Sequence, residues 1–199
     1  MKAQIHKKII SPKGPFQEKD IKSIEEFRRS PIINSFRLEL KNGKKFFLKI
    51  SSSKEFSRLE FEADGLIELR KYTNKELLEI PNPFFLKKSK ELSILIIPWI
   101  ELQQGDQSKL GYGLAHLHKN SAEKSESFFG WKKNGFIGMG IQPKGYSTSW
   151  GKCFINYRLG PQLDIAKGWG LQINEKNNFL NSLIPLLEEH NPVPVLVHG

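Results

Sequence analysis

The sequence predicts an α+β fold, with an antiparallel sheet and one packed helix in its first half and a mostly helical second half. Three observations carry this. Residues 36–50 alternate apolar and polar side chains on either side of Asn42-Gly43, the pattern of a β-hairpin. A helical stripe at 56–69 is followed by two short β-type runs, 84–87 and 92–97, and then by Pro98. Beyond them the apolar spacing is helical at 109–119, 150–166 and 177–187. The length of 199 residues, 38% hydrophobic and 26% charged, suits one large or two small domains.

In chain order, 21–29 is expected as a short helix, with Asp20 as its cap, Ile21, Ile24, Glu25 and Arg28 at helical spacing and Pro31 limiting it. Asn42-Gly43 is expected to supply the positive φ angles of a tight turn between strands 36–40 and 45–50. On the second strand Phe46, Leu48 and Ile50 face one way, and Phe47 and Lys49 the other. Ser51-Ser52-Ser53 is placed to cap the next helix, whose stripe is Phe56, Leu59, Ala63, Leu66, Ile67 and Leu69. Glu62 falls inside that stripe. Two readings stay open for it: a carboxylate paired with a cation, because an unpaired one would be costly there, or a boundary glutamate whose head reaches water. Residues 80–83 hold two prolines and end the helical region, and Pro98-Trp99-Ile100-Glu101 breaks the sheet.

A lysine offered from a strand and a glutamate offered from the following helix form the pair with which kinase-like folds hold ATP phosphates. Taken alone, Lys49 and Glu62 are more often a solvated surface ion pair. The order of strands, helix, strands and linker matches the amino-terminal lobe of a kinase. In the second half Gly111 and Gly113 weaken the helix at 109–119 and suggest close packing. His116 and His118 are two apart, the wrong spacing for metal ligands on one helix face. Residues 120–149 read as a long loop packed by its aromatics, Pro185 as a kink in the last helix, and 193–199 as a buried-type strand.

The formal charge of +10 is concentrated at the front: residues 1–50 carry 13 Lys and Arg against 5 Asp and Glu, the remainder 18 against 16. No Arg-rich run, RNA-binding aromatic signature or zinc-finger spacing accompanies it, so a basic nucleic-acid-binding protein is the third-ranked reading and no nucleic acid is expected as partner. No apolar run is long enough to span a bilayer and the start lacks a signal-peptide core, which makes the cytoplasm the expected location and a membrane no partner. The single cysteine, Cys153, leaves no internal disulfide or thiolate cluster and reads as a buried neutral thiol.

Several segments in one order resemble the fructosamine kinase (ketosamine-3-kinase) family. They are Phe46-Phe47-Leu48-Lys49, Phe61-Glu62-Ala63-Asp64-Gly65-Leu66, Leu110-Gly111 with Leu114-Ala115-His116-Leu117-His118, Phe129-Gly130, Phe136-Ile137-Gly138, Ile141-Gln142-Pro143, Trp150, Phe154, Arg158-Leu159 and Gln162-Leu163. The resemblance implies a protein-kinase-like fold, shared with aminoglycoside phosphotransferases, with a complete amino-terminal lobe at 1–97, a hinge at 98–101 and a partial helical carboxy-terminal lobe at 102–199. It implies an ATP- and Mg²⁺-dependent phosphotransferase acting on a sugar hydroxyl of a glycated amine or protein lysine, a deglycation activity.

By position, Lys49 resembles the phosphate-binding lysine and Glu62 its partner, and the backbone of Pro98, Trp99, Ile100 and Glu101 resembles the adenine hinge. His198-Gly199 resembles the start of the catalytic His-Gly-Asp motif. Two departures stand out. The loop Ser30-Pro31-Ile32-Ile33-Asn34-Ser35 has no glycine to cover phosphates, and the sequence stops one residue before the expected catalytic aspartate, with the metal-binding residues expected later still. Asp106 and Asp164 have no context that would replace them. The 199-residue chain is therefore expected to be catalytically inactive and to self-associate through apolar surface at 193–197 and on the helix at 179–187. The alternative is a non-catalytic kinase lobe that binds nucleotide or another protein.

Overall fold

The structure is a computed structural model that describes residues 14–123, 127–190 and 192–198. These form two compact units. One contains the described residues up to Lys71 together with Glu79–Gln107, the other Tyr72–Leu78 with the described residues from Ser108 onward.

The first unit is a five-stranded antiparallel sheet in the order β1-β2-β3-β5-β4, formed by β1 (Ile21–Arg28), β2 (Asn34–Leu40), β3 (Lys45–Ser52), β4 (Phe85–Lys88) and β5 (Leu92–Pro98). Its helix α1 (Phe56–Tyr72) follows β3. The sheet has one more strand than expected, because 21–28 is a strand and not a helix. The i, i+3 spacing of Ile21 and Ile24 is the cause of the misreading. A register shift between Ile21 and Ser23 inserts Lys22, so both isoleucines reach the same core although they are three apart.

The β2–β3 connection is tight, yet of the two turn residues only Gly43 has positive φ, at +83°. Asn42 contributes its side chain instead, accepting from Lys44 N–H at 3.1 Å. The serines at 51–53 do not cap the helix either: Ser51 Oγ donates to the Ser52 carbonyl, Ser52 makes no cap bond, and Ser53 Oγ donates to the Lys90 carbonyl.

The two faces of the sheet carry separate cores. Phe36, Leu38, Leu40, Phe46, Leu48, Ile50, Ile94 and Ile96 fill one with Phe16. On the other, Leu59 and Ala63 of α1 pack on Leu95, flanked by Ile33, Leu86 and Ile97. This second face is the Lys49 face, since Lys49 is paired across the ladder with Leu95.

In the second unit α2 (Gln107–Glu123) packs against 72–78 at Gly113, where a Cβ would lie 2.9 Å from Leu78 Cβ; Gly111 meets nothing. The stretch expected as a loop holds two small antiparallel ribbons. In them β6 (Phe129–Trp131) pairs with β9 (Gly145–Ser147), and β7 (Gly135–Ile137) with β8 (Gly140–Gln142). Three-residue strands dense in glycine carry too little alternation to be seen in sequence.

Next come α3 (Trp150–Phe154), a π-helical turn (Ile155–Leu159) and α4 (Gly160–Lys167) as one run, then α5 (Lys176–Glu189), which continues through Pro185. Residues 192–198 form no strand, in contrast to expectation. Pro192 and Pro194 remove two ladder donors, and the segment is held instead by Leu196 N–H donating to Ser121 Oγ at 3.0 Å on α2. Among the described residues no helix is long and apolar enough to cross a membrane.

Candidate functional site

Lys49 sits in the middle of β3, between Ser35 of β2 and Leu95 of β5. Its Nζ donates to Glu62 Oε1 at 2.6 Å. Glu62 is the residue before buried Ala63 and three after buried Leu59, so α1 packing directs it toward the sheet at the margin of the apolar stripe. The side chains are 25% and 28% exposed, which resolves the two readings of Glu62 into one: the carboxylate is partnered and its head still meets water. Such a pair contributes only about 0–1 kcal/mol to folding, so stability alone is a weak reason for it.

Lys49 Nζ also lies 5.9 Å from the centroid of Phe47, its neighbour on the same face. The loop before β2 is closed on itself. Ser30 Oγ donates to the Ile33 carbonyl at 2.6 Å and accepts from Ile33 N–H at 3.0 Å, and Ser30 N–H donates to Asn34 Oδ1 at 3.2 Å. Two of its amides are thus already engaged, unlike a glycine cradle that offers them to phosphate.

At the end of β5, Pro98 pairs with Phe46, and Trp99 N–H donates to the Lys45 carbonyl at 3.1 Å. From there the chain leaves the sheet beside an open depression of 580 Å³ lined by Glu79, Trp99, Ile100, Glu101, Leu102 and Gln103. Glu101 is ion-paired with Lys45, which holds its carboxyl below the usual value; the Trp99 indole N–H lies close enough to help, though it makes no hydrogen bond. Among the described residues, no backbone–backbone hydrogen bond engages 100–103.

His198 belongs to the other unit. It is exposed and stacks on His118 of α2, ring centroids 5.7 Å apart and planes at 14°. Gly199 lies outside the described residues. Asp164 is ion-paired with Lys176, and that contact holds its carboxyl low. Among the described residues no three His, Cys, Asp or Glu stand together as a metal-holding group.

Sequence reasoning singled out Lys49, Glu62 and 98–101, which all lie in the first unit, but it missed Phe27. With residues 21–29 expected as a helix, nothing placed Phe27 beside Phe47 and Trp99, which its ring meets at 5.5 Å each.

A crystal structure of a candidate fructosamine-3-kinase from Haemophilus somnus 129PT matches with TM-score 0.75 at 24% identity, covering 90% of this chain and 59% of that one. A second, from Thermobifida fusca YX-ER1, gives TM-score 0.73 at 19% identity, over 91% and 62%. At these identities they speak for the fold, and the fold is protein-kinase-like.

The sequence comparisons go further. The model of the fructosamine kinase family matches residues 1–199. A probable ketoamine kinase of Enterococcus faecium is 30% identical over 158 residues, 77% of this chain and 54% of that protein. The chloroplastic protein-ribulosamine 3-kinase of Arabidopsis thaliana is 31% identical over 163 residues, 77% and 48% respectively. The chain therefore belongs to the fructosamine kinase family, and it spans about half the length of the curated relatives it matches.

Proposed function

We propose that this protein takes part in ATP-dependent phosphoryl transfer to a sugar hydroxyl of glycated amines, a cytoplasmic deglycation activity, and that the residues present here supply the nucleotide side of the site. Lys49 binds phosphate oxygens, Glu62 fixes the Lys49 ammonium, and the backbone of 98–101 meets the adenine edge. The Lys49–Glu62 contact at 2.6 Å carries this reading, because it joins two charges, each about a quarter exposed, whose contribution to folding is small. The amides of 100–103, unengaged by other backbone, fit a hinge that bonds a base.

His198 and Gly199 open the segment that would lead to the catalytic carboxylate, whose task is to accept the proton of the sugar hydroxyl. By that motif the carboxylate would come directly after Gly199. Bound Mg²⁺ neutralises charge on the phosphoryl group in this chemistry, and no described residue here is assigned to hold it. A polypeptide of these residues is expected to bind ATP weakly without turning it over on a ketosamine. ATP titration against a Lys49→Ala control tests the binding, and turnover above that control would contradict the second half.

A second reading, association with another polypeptide or with itself, is favoured by one observation. Phe179, Leu186, Val193 and Val197 are 46%, 62%, 64% and 73% exposed. Sedimentation of this polypeptide over a concentration series tests it; a monomer throughout would end the self-association.

A further inference from the structure

Three asparagine side chains converge on one groove of the second unit, and the fold makes no use of them. The groove runs between α5 and the stretch formed by the π-helical turn and α4, an open depression of 330 Å³. That volume is at the low end of the range, about 300–1,000 Å³, that binding clefts occupy. Asn156 reaches it from the π-helical turn, and Asn177 and Asn181 reach it from α5. Among the described residues no hydrogen bond engages any of the three carboxamides. Asparagine is a poorer helix former than alanine, so local propensity does not account for Asn156 or Asn181 either.

The rest of the lining is apolar or neutralised. Ile155 and Leu180 are 4% and 6% exposed. The wide turn is closed by Gly160 N–H donating to the Ile155 carbonyl, and turns of this type recur at functional sites. Lys176 is committed: its Nζ is ion-paired with Asp164 and donates to the Gly160 carbonyl at 3.4 Å. The two charged residues of the groove thus cancel each other, which disfavours a phosphate or any other ionic ligand.

Spacing selects among neutral ligands. Asn177 and Asn181 stand about one helical turn apart on a single face, about 6 Å along the axis. In an extended peptide the N–H and C=O of every second residue point to the same edge, at a repeat of about 6.6 Å. A carboxamide holds one acceptor oxygen beside one NH₂ group, the complement of such an N–H and C=O.

We propose that this groove binds a short extended peptide of uncharged side chains through its backbone. Asn177 and Asn181 bond alternate residues along one edge, Asn156 bonds the other edge, and Ile155 and Leu180 receive an apolar side chain. The site stands or falls independently of the nucleotide reading.

The test titrates the isotope-labelled chain with acetyl-Ala-Leu-Ala-amide and follows the side-chain amide signals of the asparagines by NMR. The signals of Asn156, Asn177 and Asn181 are expected to move together on one binding curve. Asn177→Ala and Asn181→Ala should each weaken binding about five- to tenfold. Asn178→Ala should leave it unchanged, because that side chain is bonded to Glu175 instead. Thermal melting checks that each variant is folded. The same peptide methylated on its backbone nitrogens should not bind. Equal binding of the methylated peptide would overturn the proposal, as would no movement of the three signals at millimolar peptide. Equal weakening by all three substitutions would also overturn it, as a structural effect only. Movement of the same signals by D-ribose and not by the peptide would overturn it in favour of a polyol site.

Discussion

Replacing Lys49 by alanine separates a structural ion pair from a functional one, because the two predict opposite balances of stability and affinity. The structure sets the stability term. With both side chains about a quarter exposed, water screens the 2.6 Å contact, and a pair of this kind is worth about 0.2–1 kcal/mol. The 5.9 Å approach to Phe47 adds about 0.5 kcal/mol at an exposed site. The sum is about 1 kcal/mol, which lowers the melting temperature of a chain this size by about 2–4 °C.

The affinity term is larger. Removing a charged donor from a phosphate contact costs about 1.5–3 kcal/mol, which weakens ATP binding about 10- to 150-fold. Differential scanning calorimetry and ATP titration of Lys49→Ala against the unaltered chain read both terms. A melting temperature lowered by more than about 8 °C with ATP affinity unchanged would show that Lys49 holds the sheet to α1 and does nothing for a nucleotide.

Three further outcomes concern Gly130, Glu101 and Cys153. Gly130 has φ +117° and an added Cβ would lie 2.0 Å from the Gly145 carbonyl oxygen. Gly130→Ala is therefore expected to break the β6–β9 ribbon, seen as faster amide exchange at 129–131 and 145–147. The Glu101 carboxyl is held below its ordinary 4.5, first by the hydrogen bond from Lys45. A carboxylate with a lowered folded pKa stabilises the fold above its unfolded value and loses that stabilisation as pH falls through the folded one, so melting temperature should drop below about pH 4.5. Lys45→Met should flatten that part of the curve. Cys153 is 2% exposed and burial raises its thiol pKa, so iodoacetamide should modify it only after denaturant is added.

Much of the first unit was legible because its signals are local. Asn42-Gly43 between two alternating runs marks a hairpin without any distant information. The run from Leu92 to Ile97 is too apolar to be anything but buried. The facing of Lys49 with Phe47 followed from the two-residue period alone. Where reading failed, a local pattern had two meanings. The Ile21 and Ile24 spacing fits a helix turn as well as a bulged strand, and only pairing with β2 chooses. Ser51-Ser52-Ser53 resembles a helix cap, yet the strand continues through Ser52 and Ser53 turns to the Lys90 carbonyl. The valines at 193, 195 and 197 alternate like a strand, but alternation makes a strand only where a neighbour offers a ladder.

The chain by itself determined the α+β order, the hairpin, the helix that follows it, and the identity of Lys49 and Glu62 as the residues to watch. Those depend on periodicity and turn chemistry within about twenty residues. Only the tertiary structure decided that Glu62 is both paired and wet, that β1 is a strand, and that Phe27 turns onto Phe47 and Trp99. The first depends on how α1 packs against the sheet, the second on pairing with β2, and the third on a one-residue register shift that no spacing rule records.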